Sequence, residues 1–263
     1  MINSLFEIFK NVSLFLLIKS FHIVIIPRFT YKFWSILQQI KRKIRSFVKR
    51  EGRMTLGQTL AYQSMMPVYG LEYQKQPLDF KELFGNDAPV SIEIGFGMGD
   101  SLAQQAARYP ERNFLGIEVH RPGVGALLLK MKNLDITNIR VISHDAVEVL
   151  TDMVVDASIE LLQLFFPDPW HKRKHHKRRI VNPEFVQLLH KKIKNNGHFH
   201  MATDWQDYAQ HMLKVMQSSQ GWHNCSKTND YIPKPEDRPV TKFQKRGEGL
   251  GHGNWDLMYK RCE

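Results

Sequence analysis

A glycine-rich turn between acidic residues is the part of this sequence that points most directly to chemistry. Residues 93–99 read EIGFGMG, after an apolar run and before a helix-like stretch from Ser101 to Tyr109. A strand, a tight glycine turn and a helix start let the backbone approach a nucleotide-type ligand closely. Gly95 and Gly97 are therefore predicted to bind a cofactor.

Two acidic residues indicate which cofactor this turn binds. The glycine spacing is GxGxG, and Glu93 lies in the strand two positions before the first glycine. A dinucleotide would bring a pyrophosphate to the helix N-terminus. S-adenosylmethionine has no phosphate but carries a sulfonium and an ammonium, which a carboxylate favours. Glu118 ends the next apolar run, where a Rossmann-like fold places the acid that holds ribose hydroxyls.

A proline turn between aromatic residues is the second candidate site. Residues 164–170 read LFFPDPW and end a predicted strand, which places them at the carboxyl edge where open α/β sheets bind ligands. Because each proline restricts the residue before it, extended backbone is expected at Phe166 and Asp168. Such a stiff turn presents the Asp168 carboxylate beside aromatic surface that can clamp a flat base.

A basic run follows this turn directly. Residues 171–179 comprise six Lys or Arg and three His, and the whole chain carries a formal net charge of +11. Both features favour phosphate contacts with a nucleic acid. A histidine metal site is disfavoured, because the cations would repel the ion and no carboxylate is interleaved. The two cysteines, Cys225 and Cys262, form neither a metal-ligand spacing nor a disulfide framework, which favours a reducing, cytoplasmic compartment.

Strands and helices alternate from residue 88 onward, which predicts an α/β fold with a mostly parallel, doubly wound sheet and helices on both faces. The pattern assigns residues 88–263 to one catalytic domain. Strands are expected at 90–94, 113–119, 139–143, 158–166 and 198–203, and helices at 100–109, 122–134, 184–194 and 205–218.

The first 87 residues differ in character. Residues 1–40 form an apolar extension, in which Lys19 and His22 interrupt the densest apolar run. That run falls short of the ~18 apolar residues that a spanning helix needs. A dispensable extension is favoured over a membrane-surface helix. Residues 41–87 form a basic segment that leads into the catalytic domain.

Six motifs taken together resemble the bacterial tRNA (guanine-N7-)-methyltransferase family, from about Arg45 to the C-terminus. They are EIGFGMG (93–99), GIEVH (116–120), HDAVEVL (144–150), FFPDPWHKRKHHKRRIV (165–181), MATDW (201–205) and RPVTKFQKRGEGLGHG (238–253). The resemblance implies a class I methyltransferase fold, S-adenosylmethionine as the methyl donor, and a variable-loop guanine (position 46) of tRNA as the acceptor. It implies no protein partner and is compatible with a monomer or a homodimer.

The resemblance also implies roles for individual residues. The acids assigned to the cofactor are Glu93, Glu118, Asp145 and Asp168, with Asp168 also the active-site residue. The positions assigned to the substrate are Lys172, Asp204, Thr241, Lys242, Phe243 and Gln244. The family usually has Glu where Gln244 stands, so hydrogen bonding is kept and the charge is lost. Asp145 follows the third strand, where it is placed to bind an adenine amino group.

Guanine N7 has a lone pair and no proton to remove, so methyl transfer to it needs alignment more than a strong base. The glycine series at 247–253 is predicted to be a mobile loop that covers the substrate.

Two other functions stay open. A nicotinamide-dependent oxidoreductase leaves the proline turn and the basic run unexplained, and a non-catalytic RNA-binding protein leaves the cofactor acids unexplained. Binding of labelled S-adenosylmethionine separates the first function from both.

Overall fold

The computed structural model describes residues 44–48, 52–249, 251 and 253–263. The predicted apolar extension at 1–40 lies outside these residues. Residues Arg45–Glu263 form one unit. None of the helices within the described ranges is long and apolar enough to cross a membrane.

Eight strands and eight α-helices build this unit. The strands are β1 (Gly70–Leu71), β2 (Val90–Ile94), β3 (Asn113–Ile117), β4 (Ile139–Ile142), β5 (Ile159–Phe165), β6 (Ile193–Thr203), β7 (Trp222–Asn224) and β8 (Trp255–Arg261). The helices are α1 (Leu56–Tyr69), α2 (Phe80–Phe84), α3 (Asp100–Arg108), α4 (Arg121–Asn133), α5 (Ala146–Asp152), α6 (Pro183–Lys192), α7 (Gln206–Gln217) and α8 (Lys242–Gly249). A 3₁₀-helix spans Arg173–Arg178. These counts refer to the described part of the chain.

The strands form one sheet in the order β1-β4-β3-β2-β5-β6-β8-β7. The pairs from β1 to β6 are parallel, and β8 is antiparallel to both β6 and β7. The predicted mostly parallel, doubly wound sheet is confirmed. The strand order reverses between β2 and β5, and a crevice for ligands forms at such a switch point beyond the carboxyl ends of the strands.

The central strands of the sheet are buried on both faces. Every residue of β2 and of β3 is buried, as is usual for parallel strands between two helical layers. Along β3, Phe114 belongs to the core shared with α3 and α4, whereas Leu115 belongs to the core shared with α5, α6 and α7. Each fully buried side chain of this kind contributes about 1.5–3 kcal/mol.

Three local features differ from the predictions. The motif at 144–150 contains a helix, α5, which was not predicted and which Asp145 caps through its side chain. Strand β6 begins at Ile193, directly after α6 and five residues earlier than expected. The predicted loop at 247–253 is wrong in its first part, because α8 continues to Gly249.

Candidate active site

The glycine turn connects β2 to α3 with left-handed backbone. Gly95 has a φ of 69°, and a Cβ atom there would meet nothing within 4 Å, so the turn leaves open space beside it. On the other side the packing is tight. A Cβ on Gly123 of α4 would lie 2.1 Å from the carbonyl oxygen of Gly97. The turn is therefore held against α4 on one side and open on the other.

Glu118 fixes the shape of this turn. The backbone N–H of Gly97 donates to Glu118 Oε2 at 2.9 Å. The backbone N–H groups of Val119 and His120 donate to Oε1 at 2.7 and 2.9 Å. Each carboxylate oxygen accepts about two hydrogen bonds, so Oε2 keeps capacity for a ligand hydroxyl. The ribose-binding role of Glu118 stays a prediction, whereas its contacts with the backbone were not predicted from the sequence.

Glu93 is a buried carboxyl group at the end of β2. It is 3% exposed, and its Oε2 has no hydrogen-bond partner among the residues that the structure describes. Burial raises its pKa to about 8, a hydrogen bond from Ser101 opposes the shift, and the negative charge of Glu118 adds to it. A carboxyl group in such surroundings is neutral unless a cation joins it.

A buried polar chain supports Glu93. Gln105 Nε2 donates to Ser101 Oγ at 3.0 Å, and Gln163 Nε2 donates to Gln105 Oε1 at 2.7 Å. Gln163 is also the register partner of Glu93 across β2 and β5. These three polar side chains supply hydrogen bonds but no positive charge. None of the three was predicted from the sequence, because each is a single polar residue within a buried element.

A cavity of about 330 Å³ lies beyond the ends of β3 and β4, and Asp145 is among its lining residues. Asp145 Oδ1 accepts from the backbone N–H of Val147 at 3.0 Å, which holds the side chain in place at the start of α5. Another wall is formed by stacked rings of Tyr73 and His144, whose centroids are 3.9 Å apart. Arg45 and Phe47 of the N-terminal segment also line this cavity.

A larger groove of about 500 Å³ lies near the opposite edge of the sheet. Its lining includes Val90, at the start of β2, and Ser158, just before β5. The acidic residues follow the other ends of the strands. We therefore exclude this groove from the candidate site despite its size.

The proline turn departs from the predicted geometry. Phe166 has a φ of 50° and Trp170 a φ of 51°, so the expectation of extended backbone at Phe166 is wrong. Tertiary contacts impose this conformation: Phe166 N–H donates to the Ala202 carbonyl at 2.8 Å, and the Arg238 guanidinium lies 5.6 Å from its ring centroid. Left-handed backbone at non-glycine residues costs about 1–3 kcal/mol and clusters at functional sites.

Trp170 and Arg178 attach the N-terminal segment to this turn. Trp170 Nε1 donates to the Ser46 carbonyl at 3.0 Å. Arg178 donates to the carbonyls of Arg45 and Phe47, both at 3.0 Å, and its guanidinium lies 3.9 Å from the Trp170 ring centroid. Arg178 is therefore engaged within the protein.

The basic run divides into internal and exposed cations. Arg178 is half-buried and bonded to the protein backbone, and Arg179 is buried: it is 3% exposed, pairs with Asp207, and donates to the Pro169 carbonyl at 3.0 Å. The remaining four cations are exposed, and we call them the basic patch. They are Lys172, Arg173, Lys174 and Lys177. Composition alone did not distinguish these two groups.

The segment after Thr241 packs beside the end of β6. Thr241 Oγ1 accepts from the backbone N–H of Gln244 at 3.1 Å and so caps α8. Lys242 and Phe243 lie in the first turn of this helix. A Cβ on Gly247 would lie 2.9 Å from Asp204 Oδ2, so α8 approaches Asp204 closely. Gln244 is buried and faces the interior.

The predicted acids thus lie along one edge of the sheet. They are Glu93 at the end of β2, Glu118 after β3, Asp145 after β4, Asp168 after β5 and Asp204 after β6. Because these strands are parallel neighbours, their carboxyl ends meet at the same edge. The proline turn with Asp168 lies at this edge too, and the basic patch follows it in the sequence.

Known proteins show the same fold and the same family. A family model described as "Putative methyltransferase" matches residues 87–257. The crystal structure of the 16S rRNA methyltransferase KamB shares the fold, with a TM-score of 0.53 at 14% identity over 72% of this chain and 95% of that one. The fold and the site define a class I methyltransferase that uses S-adenosylmethionine.

Curated relatives identify the family within this class. The tRNA (guanine-N(7)-)-methyltransferase of Pectobacterium atrosepticum is 60% identical over 222 residues, which is 84% of this chain and 93% of that protein. The enzyme of the same name from Yersinia enterocolitica is 59% identical over the same shares of both chains. The chain belongs to the tRNA (guanine-N(7)-)-methyltransferase family.

Proposed function

We propose that the protein transfers the methyl group of S-adenosylmethionine to N7 of the variable-loop guanine at tRNA position 46, forming 7-methylguanosine. One observation carries this proposal. The acids that suit the donor and the Asp168 turn share one edge of the sheet with the exposed basic patch. The high identity to enzymes of that name supports the choice of tRNA as substrate.

The residues present fit the donor. Glu93 offers a buried carboxyl oxygen without a described partner, which suits an ammonium group. Glu118 Oε2 suits a ribose hydroxyl, and the cavity beside Asp145 suits an adenine ring. The open space beside Gly95 allows close approach to the backbone.

Asp168 suits the acceptor side. Bound S-adenosylmethionine supplies an electrophilic methyl group on a sulfonium. As N7 takes up this group, positive charge develops on the purine, and a fixed carboxylate stabilises that charge. Asp168 also accepts hydrogen bonds from a base and so orients it. Left-handed backbone at Phe166 and Trp170 sets the course of the chain on both sides of residues 167–169.

The basic patch suits the tRNA backbone. Its four cations are exposed and follow Asp168 directly in sequence. Phosphate contacts orient a nucleic acid without reading its sequence, so they can bring the target guanine to the turn. Asp204, Thr241, Lys242 and Phe243 complete the proposed acceptor side.

Incubation with bulk tRNA and methyl-labelled donor, followed by nucleoside analysis, tests the proposal. We expect label in 7-methylguanosine. A transcript in which adenine replaces guanine at tRNA position 46 is the matched control and should stay unlabelled. Label in another nucleoside, or in the control transcript, would contradict the proposed acceptor.

Donor binding is expected to release a proton from Glu93. With the pKa of this carboxyl at about 8, about 0.9 proton is bound at pH 7 in the donor-free protein. Ionisation must accompany pairing with an ammonium group, so donor affinity should rise about tenfold per pH unit between pH 6 and 7. Calorimetry in buffers of different ionisation enthalpy measures the released proton.

Glu93→Gln is the control for this experiment. It resembles the neutral carboxyl group in size and polarity but cannot ionise, so the pH dependence should disappear. Equal proton release by the wild-type protein and the Glu93→Gln variant would refute the assignment to Glu93.

The same raised pKa predicts that the donor-free protein loses stability as pH rises from about 4.5 toward 8, since in that range the Glu93 carboxyl ionises only in the unfolded state.

Glu118→Ala should weaken donor binding by about 1–3 kcal/mol, because three backbone N–H groups lose their acceptor along with any ribose hydroxyl. Isothermal calorimetry measures this change. Glu111→Ala removes the same charge from an exposed position and is the control. Unchanged affinity in the Glu118 variant would remove this residue from the donor site.

A further inference from the structure

A buried charge network lies behind the acceptor side and includes Gln244, a residue that the family resemblance assigns to the substrate. Arg238 and Asp256 are each 2% exposed and Gln244 is 4% exposed. Arg238 Nη2 donates to Asp256 Oδ2, and Arg238 Nη1 donates to Gln244 Oε1, both at 2.9 Å. His200 Nε2 lies 2.9 Å from Asp256 Oδ1. The network therefore joins β6, β8 and α8.

Arg238 also reaches the proline turn. Its guanidinium lies 5.7 Å from the ring centroid of Phe165 and 5.6 Å from that of Phe166. Phe166 is the left-handed residue two positions before Asp168. One guanidinium, held by Asp256, therefore contacts the Asp168 turn on one side and α8 on the other.

We propose that Gln244 is a positioning residue, which links α8 to Arg238 and so sets the position of this helix relative to the Asp168 turn. In this role its side chain faces the protein interior and makes no contact with tRNA. The proposal rests on the proposed function only for its kinetic consequences. In this arrangement Thr241 and the side of α8 that points away from Arg238 face the substrate.

The network explains why Gln can stand where the family usually has Glu. Asp256 already balances the charge of Arg238, with Nε of the guanidinium 2.7 Å from Asp256 Oδ1. What Arg238 Nη1 needs from position 244 is an acceptor, and an amide oxygen and a carboxylate both provide one. An acceptor at this position matters because a buried N–H without a partner is costly.

Gln244→Leu and Gln244→Glu test this role. Leu keeps the volume but removes the acceptor, so kcat for tRNA methylation should fall about tenfold, as for one lost buried hydrogen bond. Donor and tRNA dissociation constants should change less than about threefold, and Gln244→Glu should restore kcat. Gln244→Asn, whose amide is too short to reach Arg238, is a second variant in case the Leu variant does not fold.

Two results would overturn the proposal. If Gln244→Leu weakened tRNA binding while kcat stayed unchanged, the side chain would contact tRNA. If every variant matched the wild type, position 244 would have no role. Amide hydrogen exchange without tRNA gives an independent measurement, because the Leu variant should exchange faster in Lys242–Gly249 and not in Val90–Ile94. Such a difference in a protein that methylates no tRNA would refute the proposed function and leave the link between Gln244 and Arg238 supported.

Discussion

Asp168→Asn is expected to slow single-turnover methyl transfer by about 10²–10³-fold, the effect of removing one preorganised electrostatic contact with a developing charge. The amide keeps the size and the hydrogen bonding of the carboxylate but cannot stabilise positive charge on the purine. The tRNA affinity should stay within a few-fold, because phosphate contacts dominate it. Quenched reactions with enzyme in excess over labelled tRNA measure the rate of this step.

Asp135→Asn is a matched control for this variant. Asp135 is exposed, lies between α4 and the amino end of β4, and has a φ of 52°, which Asn tolerates well. The control should retain the full rate. If Asp168→Asn retained it too, Asp168 would be a structural residue of the proline turn.

Replacement of Arg173, Lys174 and Lys177 by Ala should reduce the salt dependence of tRNA binding. Each phosphate contact contributes about 0.9 to the slope of log affinity against log salt, so the fall in affinity between about 50 and 200 mM salt should be about 40-fold smaller in the triple variant. All tRNAs should be weakened alike, and donor binding should stay unchanged. Filter binding over a salt series measures the slope.

The control for this variant removes three lysines from the carboxyl ends of helices, on the side of the protein where the amino ends of the strands lie. Lys132, Lys191 and Lys214 are exposed, and each lies in the last turn of a helix. Their replacement lowers the net charge equally and should leave most of the slope. If the two triple variants behaved alike, the basic patch would act only through net charge. Arg178 is excluded, because it holds the N-terminal segment.

Local patterns were enough to predict the sheet and its acidic edge. Strand β2 has the predicted bounds, because its apolar run (Val90, Ile92 and Ile94) ends at the glycine turn. Glu118 and Asp145 could be placed for a related reason. They directly follow such runs, and neighbouring parallel strands bring their carboxyl ends together.

Contacts between distant segments account for what could not be predicted. The φ of Phe166 depends on Ala202 and Arg238, which lie far along the chain. Arg178 looks like any other cation of the basic run until its contacts with residues 45 and 47 are known. Gln244 likewise resembles an exposed polar residue of a basic segment, and only its contact with Arg238 places it in the interior.

The position of β8 has a consequence for how the protein is made. This strand follows β7 in the sequence, yet it lies between β6 and β7 in the sheet and carries Asp256. During synthesis the residues of β2 to β5 leave the ribosome well before it, so this part of the sheet can assemble first. Until β8 arrives, β6 has an unpaired edge, and such edges promote aggregation. A stop codon just before this strand would therefore leave a chain that contains Glu93, Glu118, Asp145 and Asp168 but has an open sheet.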